Sequence, residues 1–200
     1  MKCVTETAVV KISRANPRRN LPPRTARGRQ ETNFVAAFGE AYIREVLAQR
    51  IGTQRLHAAG REFSLAGFGI ADFVWIAWRK TPTSQEGTGL SLRSTKKPQK
   101  AIVLAFEMKL KDWRKALAQA IRYRYFADAA LVVLPPQTAV RAQQALSMFR
   151  DLQVGLWSFD RQTGRIHKIF TPRRGRPLSD SARQKAIAIL THTLRIPPVS

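Results

Sequence analysis

Asp72, Glu107 and Lys109 are the side chains of this 200-residue sequence whose types and spacing could do chemistry together. Glu107-Met108-Lys109 closes the apolar run Ala101-Ile102-Val103-Leu104-Ala105-Phe106, the composition of a strand buried on both faces. Side chains alternate along a strand, so Glu107 and Lys109 project to one side, with Cα atoms about 7 Å apart, and Met108 to the other. A carboxylate and an ammonium so placed can address one bound ion and its water. They serve equally well as a surface ion pair, and Glu-x-Lys is too common a triplet to decide between the two. Asp72 interrupts the apolar, aromatic run Ile70-Ala71-Asp72-Phe73-Val74-Trp75-Ile76. Aspartate is depleted in strands and costly to bury unpaired, so something must hold it. Capping the turn beside Gly69 is one answer and a place in a site is another.

Charge sets the partner class. Thirty-five Lys+Arg against 13 Asp+Glu give a net charge of +22. Such an excess repels itself in the folded state and is most easily understood as matching a polyanion, nucleic acid before an anionic membrane surface. The single Cys3 excludes an intramolecular disulfide framework, and the scattered His57, His167 and His192 lack zinc-ligand spacing. No apolar run approaches the length of a membrane span and no hydrophobic signal region is present, so no membrane partner and a cytoplasmic, reducing location are the expectation. Ala8 to Gln30 is Arg-rich and acid-free, a composition shared by transit peptides, phosphate-neutralising arms and solubilising tails.

The elements that must position the three side chains follow from periodicity. Residues 1–30 read as a flexible basic arm broken by Pro17, Pro22 and Pro23, and residues 31–195 as a single domain. A helix is expected over Thr32–Gln49, capped by Thr32 or Asn33 and closed by Gly52, with Gly39 weakening it. It carries Glu40 and Arg44 one turn apart, which also suits an exposed pair. Extended runs between Arg61 and Trp78 meet at Gly67-Phe68-Gly69 as a hairpin, followed by a polar, basic insertion over 79–100. Beyond strand 101–109, Asp112 caps a helix over Trp113–Ala127 whose apolar face is Trp113, Leu117, Ala120 and Ile121. Gln119 and Tyr123 lie together off that face. Strand Ala129–Leu134, a helix Gln137–Leu152, a hairpin of Val154–Phe159 and Arg165–Phe170, and a helix Ser181–Leu194 complete the chain. The class is α/β: a mixed sheet flanked by helices in the order α-β-β-β-α-β, then a C-terminal hairpin and helix. Ligands of such sheets gather at strand carboxyl ends, where Glu107 and Lys109 lie, and an antiparallel neighbour beginning at Ile70 would bring Asp72 to the same edge.

Three pieces in this order, Gly69-Ile70-Ala71-Asp72, Glu107-Met108-Lys109 and Gln119-Ala120-Ile121-Arg122-Tyr123, resemble the PD-(D/E)xK nuclease-like superfamily with its restriction-endonuclease-like fold. The last is similar to the Gln-x-x-x-Tyr element of the RecB-type exonuclease branch. The resemblance covers roughly residues 31–135; Ala71 stands where the name motif has proline, the insertion widens the gap to Glu107, and the four-cysteine iron–sulfur pattern of many relatives is missing. It implies a metal-dependent DNA nuclease that hydrolyses phosphodiester bonds in single- or double-stranded DNA, with RNA a further candidate. Asp72 and Glu107 would ligate Mg²⁺, with Mn²⁺ able to substitute. Lys109 would orient or activate the attacking water, Gln119 and Tyr123 would support the site or contact the DNA backbone, and Glu40 would be the acid on the first helix. The alternative is a non-catalytic DNA- or RNA-binding protein on the same fold.

Overall fold

In the computed structural model, which describes residues 12–14, 26–48, 55–79 and 101–193, the strands lie side by side in chain order. They are β1 (Ile12–Arg14), β2 (Arg55–Leu65), β3 (Gly69–Arg79), β4 (Ile102–Met108), β5 (Ala129–Leu134), β6 (Val154–Asp160) and β7 (Arg165–Phe170). The three-residue β1 adds an edge to six longer strands. Pairing is antiparallel for β2–β3, β3–β4 and β6–β7 and parallel elsewhere, so the sheet is mixed. The helices are α1 (Ala26–Ala48), α2 (Trp113–Tyr123), α3 (Pro136–Gln143), α4 (Leu146–Asp151) and α5 (Asp180–Thr193). No helix among the described residues is long and apolar enough to cross a membrane.

The two faces of the sheet are packed differently. Under α1 the core is aromatic: the Phe106 ring lies 5.3 Å from Phe38 and 5.2 Å from Tyr42, and Trp75 lies 5.5 Å from Tyr42. Gly39 permits this contact, because a Cβ there would sit 3.1 Å from a ring carbon of Phe73. A residue that costs helix stability thus lets helix and sheet close up. The opposite face mixes small residues with rings: Ala116 and Ala120 of α2, Ala142 of α3 and Ala186 of α5 share it with Val103, Ala105 and Val132 and with Phe63, Trp113, Tyr123, Phe126 and Phe149. β4 is buried on both sides, as its apolar run implies, and its Met108 joins the aromatic layer.

Several expected boundaries move. α1 starts at Ala26, inside the expected 1–30 arm, and Thr32 is not its cap: its hydroxyl donates to the Gly28 carbonyl at 2.8 Å within the helix. The rest of the arm beyond β1, the insertion from residue 80 to 100, and Gly52 lie outside the described residues. α2 ends at Tyr123 instead of Ala127, because the amides of Arg124 and Phe126 fold back onto Ile121 and Tyr123 in tight turns. Asp112 does cap α2, its Oδ1 accepting the Lys115 amide at 3.0 Å. Pro136 opens α3 as its first residue, a position that needs no amide hydrogen. The expected single helix 137–152 is two helices, separated at Gln144–Ala145, where Ala145 has φ −110° and ψ 34°.

Candidate functional site

The antiparallel ladder of β3 and β4 runs as far as Phe73 opposite Phe106, and one step further brings Asp72 level with Glu107. There a side chain replaces the ladder: Asp72 Oδ2 accepts the Met108 amide at 2.7 Å. Asp72 is thus held by the end of β4 and not by the glycine turn. An irregularity turns it that way. Phe73 and Ala59 belong to the aromatic layer, yet Ala71 and Phe63, in alternation with them, belong to the other layer. The alternation slips on β2 and β3 together at the register position of Glu62 and Asp72, which drops out of the ladder, and Glu62 has φ 56°. An L residue with positive φ is uncommon, and here it marks where the hairpin turns a carboxylate towards a strand end.

Glu107 is 1% exposed. Its Oε1 accepts Lys109 Nζ at 2.7 Å, and its Oε2 lies 2.5 Å from the Tyr123 hydroxyl. Lys109 Nζ also reaches the Met108 carbonyl at 3.1 Å and Asp72 Oδ2 at 3.7 Å, so one ammonium serves both carboxylates. The Tyr123 hydroxyl is in addition 2.6 Å from the Ile70 carbonyl. A phenol has one proton, and here it faces two acceptors. The arrangement closes if Glu107 is protonated, donates to the phenol oxygen, and leaves the phenol to donate to Ile70.

The electrostatics run the same way. Burial, reinforced by the Asp72 charge, pushes the Glu107 carboxyl from 4.5 up to about 7 against the pull of Lys109 and Tyr123. Burial also raises Asp72, with Lys109 and the Met108 amide opposing and Glu31 and Glu62 adding to the rise. The Asp72 side chain keeps 26% of its surface open, against 1% at Glu107. At Lys109 burial favours the neutral amine, but Asp72 and Glu107 together outweigh it and hold the group as an ammonium. Tyr123 is raised by burial and by Glu107 and stays a phenol.

Beside Asp72 opens a cavity of about 230 Å³ lined also by Glu31 and Thr32 of α1 and by Arg61 and Glu62 of β2. The acid that α1 brings here is Glu31; Glu40 is exposed more than two turns further along the helix and does not line the cavity. Asp72, Glu107, Lys109 and Tyr123 do come together. Tyr123, expected off the apolar face, is fully buried in the core with its hydroxyl taken up by Glu107 and Ile70. Gln119, one turn earlier on α2, has a buried Oε1 with no hydrogen-bond partner. Glu31 and Glu62 are the acids that reading the sequence missed. Glu31 had one signal, as the first acid after the acid-free Ala8–Gln30, and Glu62 had none until its register opposite Asp72 was known.

Among the described residues no group of three or more His, Cys, Asp or Glu side chains is arranged to hold a metal ion. The donors that meet are two carboxylates. That is an all-oxygen, hard set, short of protein ligands and suited to a small divalent cation that keeps several of its waters. No family profile, no curated protein and no solved structure matches the chain.

Proposed function

We propose that this protein is a metal-dependent deoxyribonuclease on a restriction-endonuclease-like fold, with Asp72 and Glu107 as the ligands of Mg²⁺. The observation that carries the reading is a local excess of acid in a chain of net charge +22: two carboxylates from adjacent strands meet on one lysine, and the Asp72 charge adds to the burial that raises the Glu107 pKa. Carboxylates that disfavour each other's charge call for a cation. The order α1, β2, β3, β4, α2, β5 also supports the reading, since it follows the α-β-β-β-α-β pattern that the motif resemblance implies.

When bound, Mg²⁺ would lower the pKa of a coordinated water and neutralise charge on the scissile phosphate. Lys109, as an ammonium 2.7 Å from Glu107, orients the attacking water and offsets the negative charge that grows on phosphorus. Its raised pKa sets the general-base role aside for the metal-free site. Tyr123 is a positioning residue that fixes the Glu107 carboxylate through its hydroxyl; being fully buried, it does not contact DNA.

The test is cleavage of labelled single- and double-stranded DNA by the full chain with Mg²⁺ or Mn²⁺. Cutting should fall by about a thousandfold or more in Asp72→Ala, Glu107→Ala and Lys109→Ala, with folding checked by circular dichroism. A folded protein that binds DNA, takes up no Mn²⁺ by calorimetry and cuts neither substrate is a binding module, and the nuclease reading is then wrong.

A further inference from the structure

Immediately beyond Lys109 the chain enters a second and larger depression, of about 620 Å³, lined by Lys111, Trp113 and Arg114 at the start of α2 and by Arg141 and Gln144 at the end of α3. We infer that this groove is a phosphate-binding track that seats the DNA backbone next to the metal centre, with Arg141 as its principal phosphate contact. The choice of DNA rests on the nuclease reading.

Three cations line the groove, Lys111, Arg114 and Arg141, against one acid, Asp112. Asp112 Oδ1 is already engaged by the Lys115 amide, capping α2. The cations are also held in place. Arg114 lies over the Trp113 ring, 4.4 Å from its centroid, and Trp113 is itself buried. Arg141 Nη2 donates to Thr138 Oγ1 at 3.3 Å, and the Thr138 hydroxyl donates to the Leu110 carbonyl at 2.7 Å. Thr138 is 3% exposed, one of the few polar residues in the interior. A buried hydroxyl therefore ties Arg141 to the backbone of the residue that follows Lys109. The break between α3 and α4 acquires a purpose as well, since Gln144 and Ala145, where the helices part, form the far wall of the groove.

Arg141 is thus the phosphate contact and Thr138 the residue that positions it. The experiment is fluorescence anisotropy of a labelled DNA oligonucleotide titrated with the full chain in EDTA, over a series of salt concentrations. Arg141→Ala should weaken binding roughly three- to tenfold and reduce the log–log salt slope by about one, as the loss of one phosphate contact requires. Thr138→Val should follow it part of the way, with folding confirmed by circular dichroism because the Leu110 carbonyl loses its donor, and Thr138→Ser should restore wild-type binding. Arg161→Ala, in the exposed β6–β7 turn, is the control for diffuse charge. The inference is overturned if Arg141→Ala binds as wild type, or if Arg161→Ala loses as much affinity and slope. Because no metal is present, the outcome separates from the nuclease reading. Loss of affinity in Arg141→Ala from a protein that never cuts would sustain the groove and sink the nuclease, and a cutting enzyme indifferent to Arg141 would do the reverse.

Discussion

The strand β4 has a charge cluster at each end, and the two are built alike. At its start, Asp128 Oδ2 accepts the Val103 amide at 2.7 Å and Arg183 Nη1 at 2.9 Å, while Arg183 Nη2 donates to the Ala101 carbonyl. At its finish, Asp72 Oδ2 accepts the Met108 amide at 2.7 Å and Lys109 Nζ lies 3.7 Å away. In both, a carboxylate from a neighbouring element takes a β4 amide and a cation closes the gap. The difference is Glu107. The first cluster has one acid and one base and is balanced; the second has a further, buried carboxylate that its single lysine must share. Holding a strand end needs only the balanced arrangement. The surplus acid is what makes the second cluster a candidate for chemistry.

The largest effect that tests this contrast lies at the structural end. Asp128→Ala removes the acceptor of the Val103 amide and leaves Arg183 facing the interior without its partner. Both side chains are partly open, 12% and 16% exposed, so the cost falls below that of a wholly buried pair, at about 2–3 kcal/mol. For a chain of this size that corresponds to a fall in melting temperature of about 5–10 °C by calorimetry. DNA cleavage by the fraction that remains folded should be unchanged. A loss of cleavage out of proportion to the loss of stability would show that the two clusters are not independent.

The next effect, smaller, lies at the unbalanced end and appears as a pH dependence. Glu107 is raised from 4.5 to about 7 in the folded protein, so between those values the folded chain keeps a proton that the unfolded chain has lost. Stability contributed by this group is present at low pH and falls as pH rises through that window, by on the order of 2 kcal/mol. Asp72, also raised, acts in the same direction. Urea denaturation in EDTA between pH 4.5 and 8 measures it, with Glu107→Gln as the reference because the amide cannot titrate. The difference between wild type and variant should widen towards alkaline pH in favour of the variant. A wild type that gains on the variant as pH rises would mean that Lys109 fully compensates both carboxylates, and the contrast between the clusters would collapse.

These clusters differ also in how far they could be read from residues alone. Glu107-x-Lys109 stood out because it ends an apolar run, and Asp72 because it breaks one, and both positions survive in the structure. The apolar runs of β4 and β5 were legible for the same reason, since burial on both faces imposes composition, and the turns announced the hairpins β2–β3 and β6–β7; β1, inside the expected arm, was not legible. What could not be read depended on neighbours distant in the chain. Tyr123 looks amphipathic on a helical wheel and is buried only because Glu107 and Ile70 offer its hydroxyl two acceptors. Glu62 has no local signature for a positive φ. The parting of α3 and α4 leaves the apolar periodicity of 137–152 nearly continuous, so that no breaker announces it. Asp128 and Arg183 are 55 positions apart, and nothing in either segment points to the other.

The smallest expected effect concerns Tyr123, which decides whether the unbalanced end is merely tolerated or is held ready. Tyr123→Phe keeps the ring in the core and removes one hydroxyl. At pH 8, where Glu107 is largely ionised, the Ile70 carbonyl and Glu107 Oε2 would lose their shared donor, at a cost of about 1 kcal/mol. The loss also takes away a hydrogen bond that lowers the Glu107 pKa, so the carboxyl is pushed higher still. Below the Glu107 pKa the carboxyl is neutral in both proteins, so the loss of a donor that favours its charge no longer counts and the penalty shrinks. The variant should therefore be destabilised more at pH 8 than at pH 5, and the acid limb of its cleavage profile with Mg²⁺ should move to higher pH. A packing role alone would give a loss of stability independent of pH and an unmoved acid limb. In that case the phenol only fills the core, and the surplus acid of Glu107 is governed by burial and by Asp72 alone.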